Sequence, residues 1–257
     1  MLGSMVRRCL EWLAPLEKLL SGSKPICLSC GAGCDGSKPL PVCSGCWASI
    51  PWITEVLCSR CGRFEHCTDC SRRETTYYSQ NRSAVRYDDT MKEWLALYKY
   101  RGKERLRRLL GPMLLHAYHL HRRHPVEPAQ RDPGAQWISF VPLSEERLRE
   151  RGFNQARQLA EELGRLTGLP VISLLRRTRH TDKQSFKSRA ARLDDMKGIF
   201  EVDEEGLARM KAVSGSTGRL RIYLIDDVYT TGSTLNECAR TIRKKASAEV
   251  YGISWAR

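Results

Sequence analysis

The chain has 257 residues, with 43 Lys and Arg against 29 Asp and Glu and a formal net charge of +14, which is room for one good-sized domain plus a small one. So basic a balance favours a polyanionic partner, either nucleic acid or a phosphate-rich small molecule. No run approaches the ~18 apolar residues of a membrane span, which excludes a membrane-spanning helix.

The first 24 residues read as a leader or amphipathic helix. Arg7-Arg8 precede apolar residues, but Glu11, Pro15, Glu17 and Lys18 interrupt any secretory h-region. The expected setting is cytoplasmic, where the 11 cysteines are metal ligands rather than disulfides. Most of them fall in a module over 25–73. Cys27-x-x-Cys30 and Cys43-x-x-Cys46 bracket a 12-residue spacer; Cys58-x-x-Cys61 and Cys67-x-x-Cys70 follow with five residues between them. A C-x-x-C knuckle folds two thiolates onto one cation, and two knuckles complete a closed Zn–S₄ site, structural rather than catalytic. The first quartet predicts one zinc. The second adds another if its short spacer permits, with His66 as a rival ligand, and interleaved pairing of the knuckles stays open. Cys9 and Cys34 are spare.

The main domain is expected over 76–257. Tyr77 to Tyr87 carries β-formers around a polar middle (Gln80, Asn81, Arg82), predicting two short strands or a hairpin. Asp88 or Asp89 caps a helix in which Met91, Leu95 and Tyr98 share a face. From Lys99 to Arg123 there are eight Lys/Arg and one acid, Glu104. Lys99, Arg101, Lys103, Arg105, Arg107 and Arg108 read either as a solvated helix face or as a track for nucleic-acid phosphates, with Tyr98, Tyr100 and Tyr118 available to stacked bases. His116, His119, His121 and His124 read as a surface helix end. After a loop at 125–136, Trp137 to Val141 is a strand. A loop with Arg147, Arg149 and Arg151 follows, then a helix with Phe153, Ala156, Leu159, Ala160 and Leu163 at helical spacing and Asn154 as cap. Val171 to Leu175 is another strand. Arg176 to Arg192 is a long polar segment with seven Lys/Arg and only Asp182 as acid, the composition of a functional lid. Gly198 to Val202 is extended, and 203–218 reads as a polar insertion.

The most informative stretch is Arg221 to Leu235. Ile222 to Ile225 is a buried parallel strand, Asp226 and Asp227 fall at its carboxyl end, and Thr230-Thr231-Gly232-Ser233-Thr234 turns into a helix. Amides and hydroxyls at a helix start wrap a dianionic phosphate, while vicinal ribose hydroxyls or a hydrated Mg²⁺ suit the acid pair. On that reading Gly232→Val abolishes ligand binding and leaves thermal stability nearly unchanged. No Walker A string accompanies the strand, which argues against an ATPase. Glu249 to Trp255 is the last strand.

Four apolar residues, two acids and a Thr/Gly/Ser/Thr cluster resemble the phosphoribosyl pyrophosphate (PRPP) signature of type I phosphoribosyltransferases. Together with the C-x-x-C knuckles, YKYRGK, VPLSEERLRERGFNQA and the basic KQS segment, in that order, the chain resembles the ComF competence proteins of natural transformation. The resemblance implies an α/β fold, a parallel sheet flanked by helices as in type I phosphoribosyltransferases, with an N-terminal zinc module. It implies PRPP and Mg²⁺ as ligands, handling of incoming single-stranded DNA, and a helicase-like ComF partner. Asp226 and Asp227 match the ribose-binding acids and Thr230, Thr231, Gly232, Ser233 and Thr234 the 5′-phosphate loop. Arg151 lies on the pyrophosphate side, and Lys183, Gln184 and Arg189 sit where type I enzymes keep a mobile catalytic loop. No acceptor-base hood is recognisable, so the expectation divides between a Mg-dependent phosphoribosyltransferase of unknown acceptor and a non-catalytic zinc-containing single-strand-binding module with a vestigial or sensory PRPP pocket.

Overall fold

The computed structural model describes residues 25–100, 104–123, 134–178, 198–214 and 220–257, which divide into two compact units, one ending at Ser49 and the other spanning Ile50–Arg257. In the first, the Cys27 knuckle turns back through Cys27 N to Ala32 O (2.7 Å) and Gly31 N to Cys27 O (3.0 Å). Helix α1 (Ser44–Ala48) begins where the Cys43 sulfur accepts from the Cys46 amide at 3.5 Å.

The second unit holds short helix α2 (Thr68–Ser71), β1 (Gln80–Val85), α3 (Asp89–Tyr100), α4 (Arg107–Arg123) and β2 (Ala135–Phe140). After these come α5 (Glu145–Arg151), α6 (Gln155–Thr167), β3 (Leu175–Arg177), β4 (Phe200–Val202), α7 (Glu204–Ser214), β5 (Leu220–Val228), α8 (Ser233–Arg243) and β6 (Ala248–Ala256). Four strands form one sheet in the order β1-β6-β5-β2, every neighbouring pair parallel. This parallel sheet flanked by helices is the architecture the resemblance implies. The strands are buried on both faces, as parallel sheets are. Ile222, Leu224 and Val250 pack with Leu235, Ala239 and Ile242 of α8. On the opposite face Tyr223 meets Tyr118 of α4, with ring centroids 5.3 Å apart, and the Trp255 indole N–H points at Met113 Sδ.

Several expectations change. Tyr77 to Tyr87 holds one strand, not two, and Gln80, Asn81, Arg82 and Ser83 are all buried in it. The reason is local satisfaction of polar groups. Arg82 donates to Ser59 O and Asn81 O (2.8 Å each) and to Gln80 Oε1 (2.7 Å). Gln80 Nε2 reaches His121 Nδ1 at 2.8 Å, leaving Nε2–H of His121 to donate to Gly252 O at 2.8 Å. His121 is therefore a core residue rather than part of a surface helix end, and burial drives its pKa down to about 3. The segment after Ile50 runs antiparallel along β1, pairing Trp52 with Val85 and bonding Asn81 N to Arg60 O (2.7 Å). It covers what would otherwise be an open sheet edge.

The expected arginine loop after β2 is helix α5, N-capped by Ser144 with Glu145 and Glu146 in its first turn and closed by left-handed Gly152. The expected polar insertion contains α7, whose Asp203 caps Gly206 N at 3.3 Å while Leu207 and Met210 are buried. Val171 makes only a parallel bridge to Ile138, and the strand proper is β3, antiparallel to β4. Asn154 does cap α6, accepting from Arg157 N at 3.2 Å, and Asp88 caps α3 through Met91 N at 2.8 Å. Among the described residues no helix is long and apolar enough to cross a membrane.

Candidate functional site

Two cysteine quartets form, Cys27-Cys30-Cys43-Cys46 and Cys58-Cys61-Cys67-Cys70, with the four sulfurs of each within 4.8 Å of one another. The knuckles pair in sequence order rather than interleaving. His66 is exposed and belongs to neither quartet. Sulfurs at about 2.3 Å from a tetrahedral zinc lie about 3.8 Å apart; Cys30 and Cys43 are 3.7 Å apart and Cys61 and Cys67 3.5 Å. Both quartets thus fit zinc, and each is a closed four-ligand set. Gly62, immediately after the Cys58–Cys61 knuckle, has φ +74°, and a Cβ there would lie 2.5 Å from Asn81 O. Glycine is what lets the Cys58 knuckle lie against β1.

The remaining candidates gather at the carboxyl edge of the sheet. After β2 the chain passes through α6 to Val171, which pairs on the outer side of β2. After β5 it passes through α8 to β6, on the other side. The two connections leave in opposite directions, so the crevice between the ends of β2 and β5 is a topological switch point, where open parallel sheets bind ligands. Asp226 and Asp227 stand there. Asp226 Oδ1 accepts from the Asp227 amide at 2.8 Å. Burial, and secondly the neighbouring Asp227 charge, hold the Asp226 carboxyl well above the usual carboxylate range. Lys99 closes an ion pair on Asp227, both side chains less than one-fifth exposed. That places Lys99 in this crevice rather than on the basic track expected of it. Arg177 of β3 is close enough to feel Asp226. Burial lowers its pKa, Arg147 adds to the fall, and Cys238 and Asp226 oppose it. Neither Arg177 nor the pairing of Lys99 was legible in the sequence, because both depend on elements far apart along the chain. Arg151, at the end of α5, donates to Gln155 Oε1 at 2.8 Å.

The loop after β5 leads into α8. Gly232 is the N-cap, left-handed at φ 76°, and has no side chain to satisfy the first-turn amides. Thr231 Oγ1 and Ser233 Oγ are 2.8 Å apart, so hydroxyls and amides converge at a helix start, the arrangement that favours a dianion. Arg73 reaches the same loop, donating to the carbonyls of Thr231 and Gly232 (3.3 Å for Gly232). Inside the corner, Asn81, Asp226, Tyr229, Thr230, Gly232, Thr234 and Ser254 border about 20 Å³, space for one water. A larger groove of about 970 Å³ borders the α5–α6 corner, lined by Phe140, Pro142, Gly152, Phe153 and Arg157 among others.

Gly232 also packs on Tyr229, where a Cβ would fall 2.2 Å from the phenol oxygen. The expectation that Gly232→Val leaves stability untouched is therefore corrected. Left-handed strain and overpacking together are expected to cost about 3 kcal/mol, read as a lowered denaturant midpoint. Of the other sequence candidates, Arg105, Arg107 and Arg108 are exposed around the start of α4. Arg101, Lys103, Lys183, Gln184, Arg189 and Cys9 lie outside the described residues.

No family model matches the chain. Among curated proteins it is 33% identical over 216 residues to "Competence protein ComFC" of Bacillus subtilis, covering 80% of each chain. It is 28% identical over 221 residues to the protein of that name in Streptococcus pneumoniae, covering 84% of this chain and 87% of that one. "DNA utilization protein YhgH" of Escherichia coli K12 is 32% identical over 126 residues, about half of each chain (48% and 51%). Among solved structures, "Structure of the allosteric regulatory enzyme of purine biosynthesis" aligns at 17% identity and a TM-score of 0.34, with this chain spanning 31% of its length. At one-third identity to the Bacillus protein over four-fifths of both sequences, the chain belongs to the ComFC family of competence proteins.

Proposed function

We propose that this protein binds PRPP or a closely related ribose phosphate with Mg²⁺ at the carboxyl edge of its sheet, and that it serves DNA uptake by handling incoming single-stranded DNA in the cytoplasm beside a helicase-like ComF partner. The observation that carries the ligand reading is the glycine-capped start of α8 directly after two carboxylates at a switch point. In this reading the 230–234 loop holds the 5′-phosphate. Asp226 and Asp227 accept from the ribose hydroxyls, and Arg147, Arg151 and Arg177 face the pyrophosphate side. Mg²⁺, when bound, would neutralise pyrophosphate charge. Lys99 holds Asp227 in place until ligand arrives. The zinc sites are structural. Lys183 and Arg189 are proposed lid residues, and the DNA role draws on the names of the relatives. Calorimetric titration with PRPP, with and without Mg²⁺, tests the ligand: saturable Mg-dependent binding supports the reading, and release of pyrophosphate on adding an acceptor would make it a transferase.

The exposed arginines at the start of α4 favour a second activity alongside it, backbone contact with single-stranded DNA. Replacing Arg105, Arg107 and Arg108 together with Ala is expected to weaken single-strand binding and to flatten its dependence on log salt by about 2, at roughly 0.7 per phosphate contact. Fluorescence anisotropy across a salt series checks it; an unchanged slope removes these residues from the DNA path.

A further inference from the structure

Arg73 belongs to no motif, yet it joins two parts of the second unit. It follows Cys70 by three positions, just past α2 of the second cysteine quartet. Its guanidinium donates to the carbonyls of Thr231 and Gly232 and lies 6.0 Å from the Tyr78 ring. Tyr78 in turn shares a 2.7 Å hydroxyl contact with Tyr229. The connector beyond Arg73 is strapped along α8. Asn236 accepts from Tyr77 N at 2.8 Å and donates to Thr75 O at 3.2 Å, and Arg243 donates to Tyr77 O at 3.1 Å. The chemical consequence follows from the trans peptide, in which C=O and N–H point in opposite directions. A guanidinium that grips the Thr231 and Gly232 carbonyls turns the amides of Gly232 and Ser233 away from itself, to the side where the Ser233 amide meets Thr231 Oγ1 at 3.4 Å and an anion would lie. Arg suits this because its planar fork engages two acceptors at once, which a lysine ammonium does less well.

We propose that Arg73 is a positioning residue for the anion-binding loop, fixing the direction of its amides from the frame of the second cysteine site. The ligand's identity rests on the phosphoribosyl reading above; the positioning itself does not. The test uses the full chain with Arg73→Ala and Arg73→Lys, each first shown to keep its metal content and melting temperature near wild type. In ligand-free Arg73→Ala, hydrogen exchange at the amides of 231–235 is expected to rise at least tenfold while exchange in β5 and β6 stays unchanged. PRPP binding is expected to weaken about tenfold, to be partly restored by millimolar free guanidinium, and to lie in between for Arg73→Lys. Unchanged loop exchange in Arg73→Ala overturns the proposal whatever the ligand. Faster loop exchange with no PRPP binding even by wild type would uphold the positioning role and reject the phosphoribosyl reading instead.

Discussion

Substituting Asp226 and Asp227 together with Asn is expected to weaken Mg-dependent PRPP binding by at least about a hundredfold. A hydrogen bond to a charged acceptor contributes about 1.5–3 kcal/mol; Asp227 loses that charge, and Asp226 loses a carboxyl oxygen that would accept from the second ribose hydroxyl. The single variant Asp226→Asn separates binding from stability. Its carboxyl pKa is raised by burial and by Asp227, so the folded protein disfavours the anion despite Lys99 and Arg177. An amide relieves that cost, and ligand-free Asp226→Asn is expected to be about 1 kcal/mol more stable than wild type at neutral pH while binding ligand worse. The pH dependence has a definite sign. Between the ordinary carboxylate range, about 4, and its raised folded value, Asp226 keeps a proton that the unfolded chain has lost. Stability of the ligand-free protein therefore falls as pH rises through that window, and Asp226→Asn should flatten this slope. Chemical denaturation at a series of pH values reads both effects; a variant less stable than wild type, with the slope intact, would contradict them.

The second large effect is expected at the metal. Arg82 is fully buried, and although burial brings its pKa down to about 10, the Cys58 and Cys61 thiolates oppose the shift, so it stays charged at neutral pH. A buried guanidinium left without counter-charge is costly. Four thiolates around one divalent cation leave two negative charges beside it. The same quartet fixes the segment that covers the β1 edge, through Asn81 N to Arg60 O and Arg82 to Ser59 O. Cys61→Ser is therefore expected to release the metal of this site and to lower the melting temperature by at least about 10 °C, at 2–4 °C per kcal/mol for a unit of this size. Metal analysis with calorimetric melting checks it. Retained stability after metal loss would show that the polar strand supports itself.

What could be read from the chain depended on the range of the interactions. The cysteine knuckles, the Asp226–Thr234 turn and the Asn154 cap are local, and residues a few positions apart dictate them. Helices α5 and α7 were equally local, with Ser144 before Glu145-Glu146 and Asp203 before Glu204-Glu205 as cap and dipole signals; charge runs obscured them. Strand β1 defied apolar patterning because its polar side chains find partners in Ser59 O and His121, which no window of sequence contains. Lys99, Arg177 and Arg73 reach the site across gaps of 128, 49 and 158 residues from Asp227, Asp226 and Thr231. Only the folded chain could reveal those.

The most direct test is of where the sugar phosphate sits. In isotope-labelled protein, PRPP with Mg²⁺ should produce its largest amide shifts at Gly232, Ser233 and Thr234, downfield as charge-assisted hydrogen bonds form, and none of comparable size in Asp226→Asn/Asp227→Asn. Shifts confined to other parts of the chain, with those amides unmoved under saturating ligand, would contradict the account.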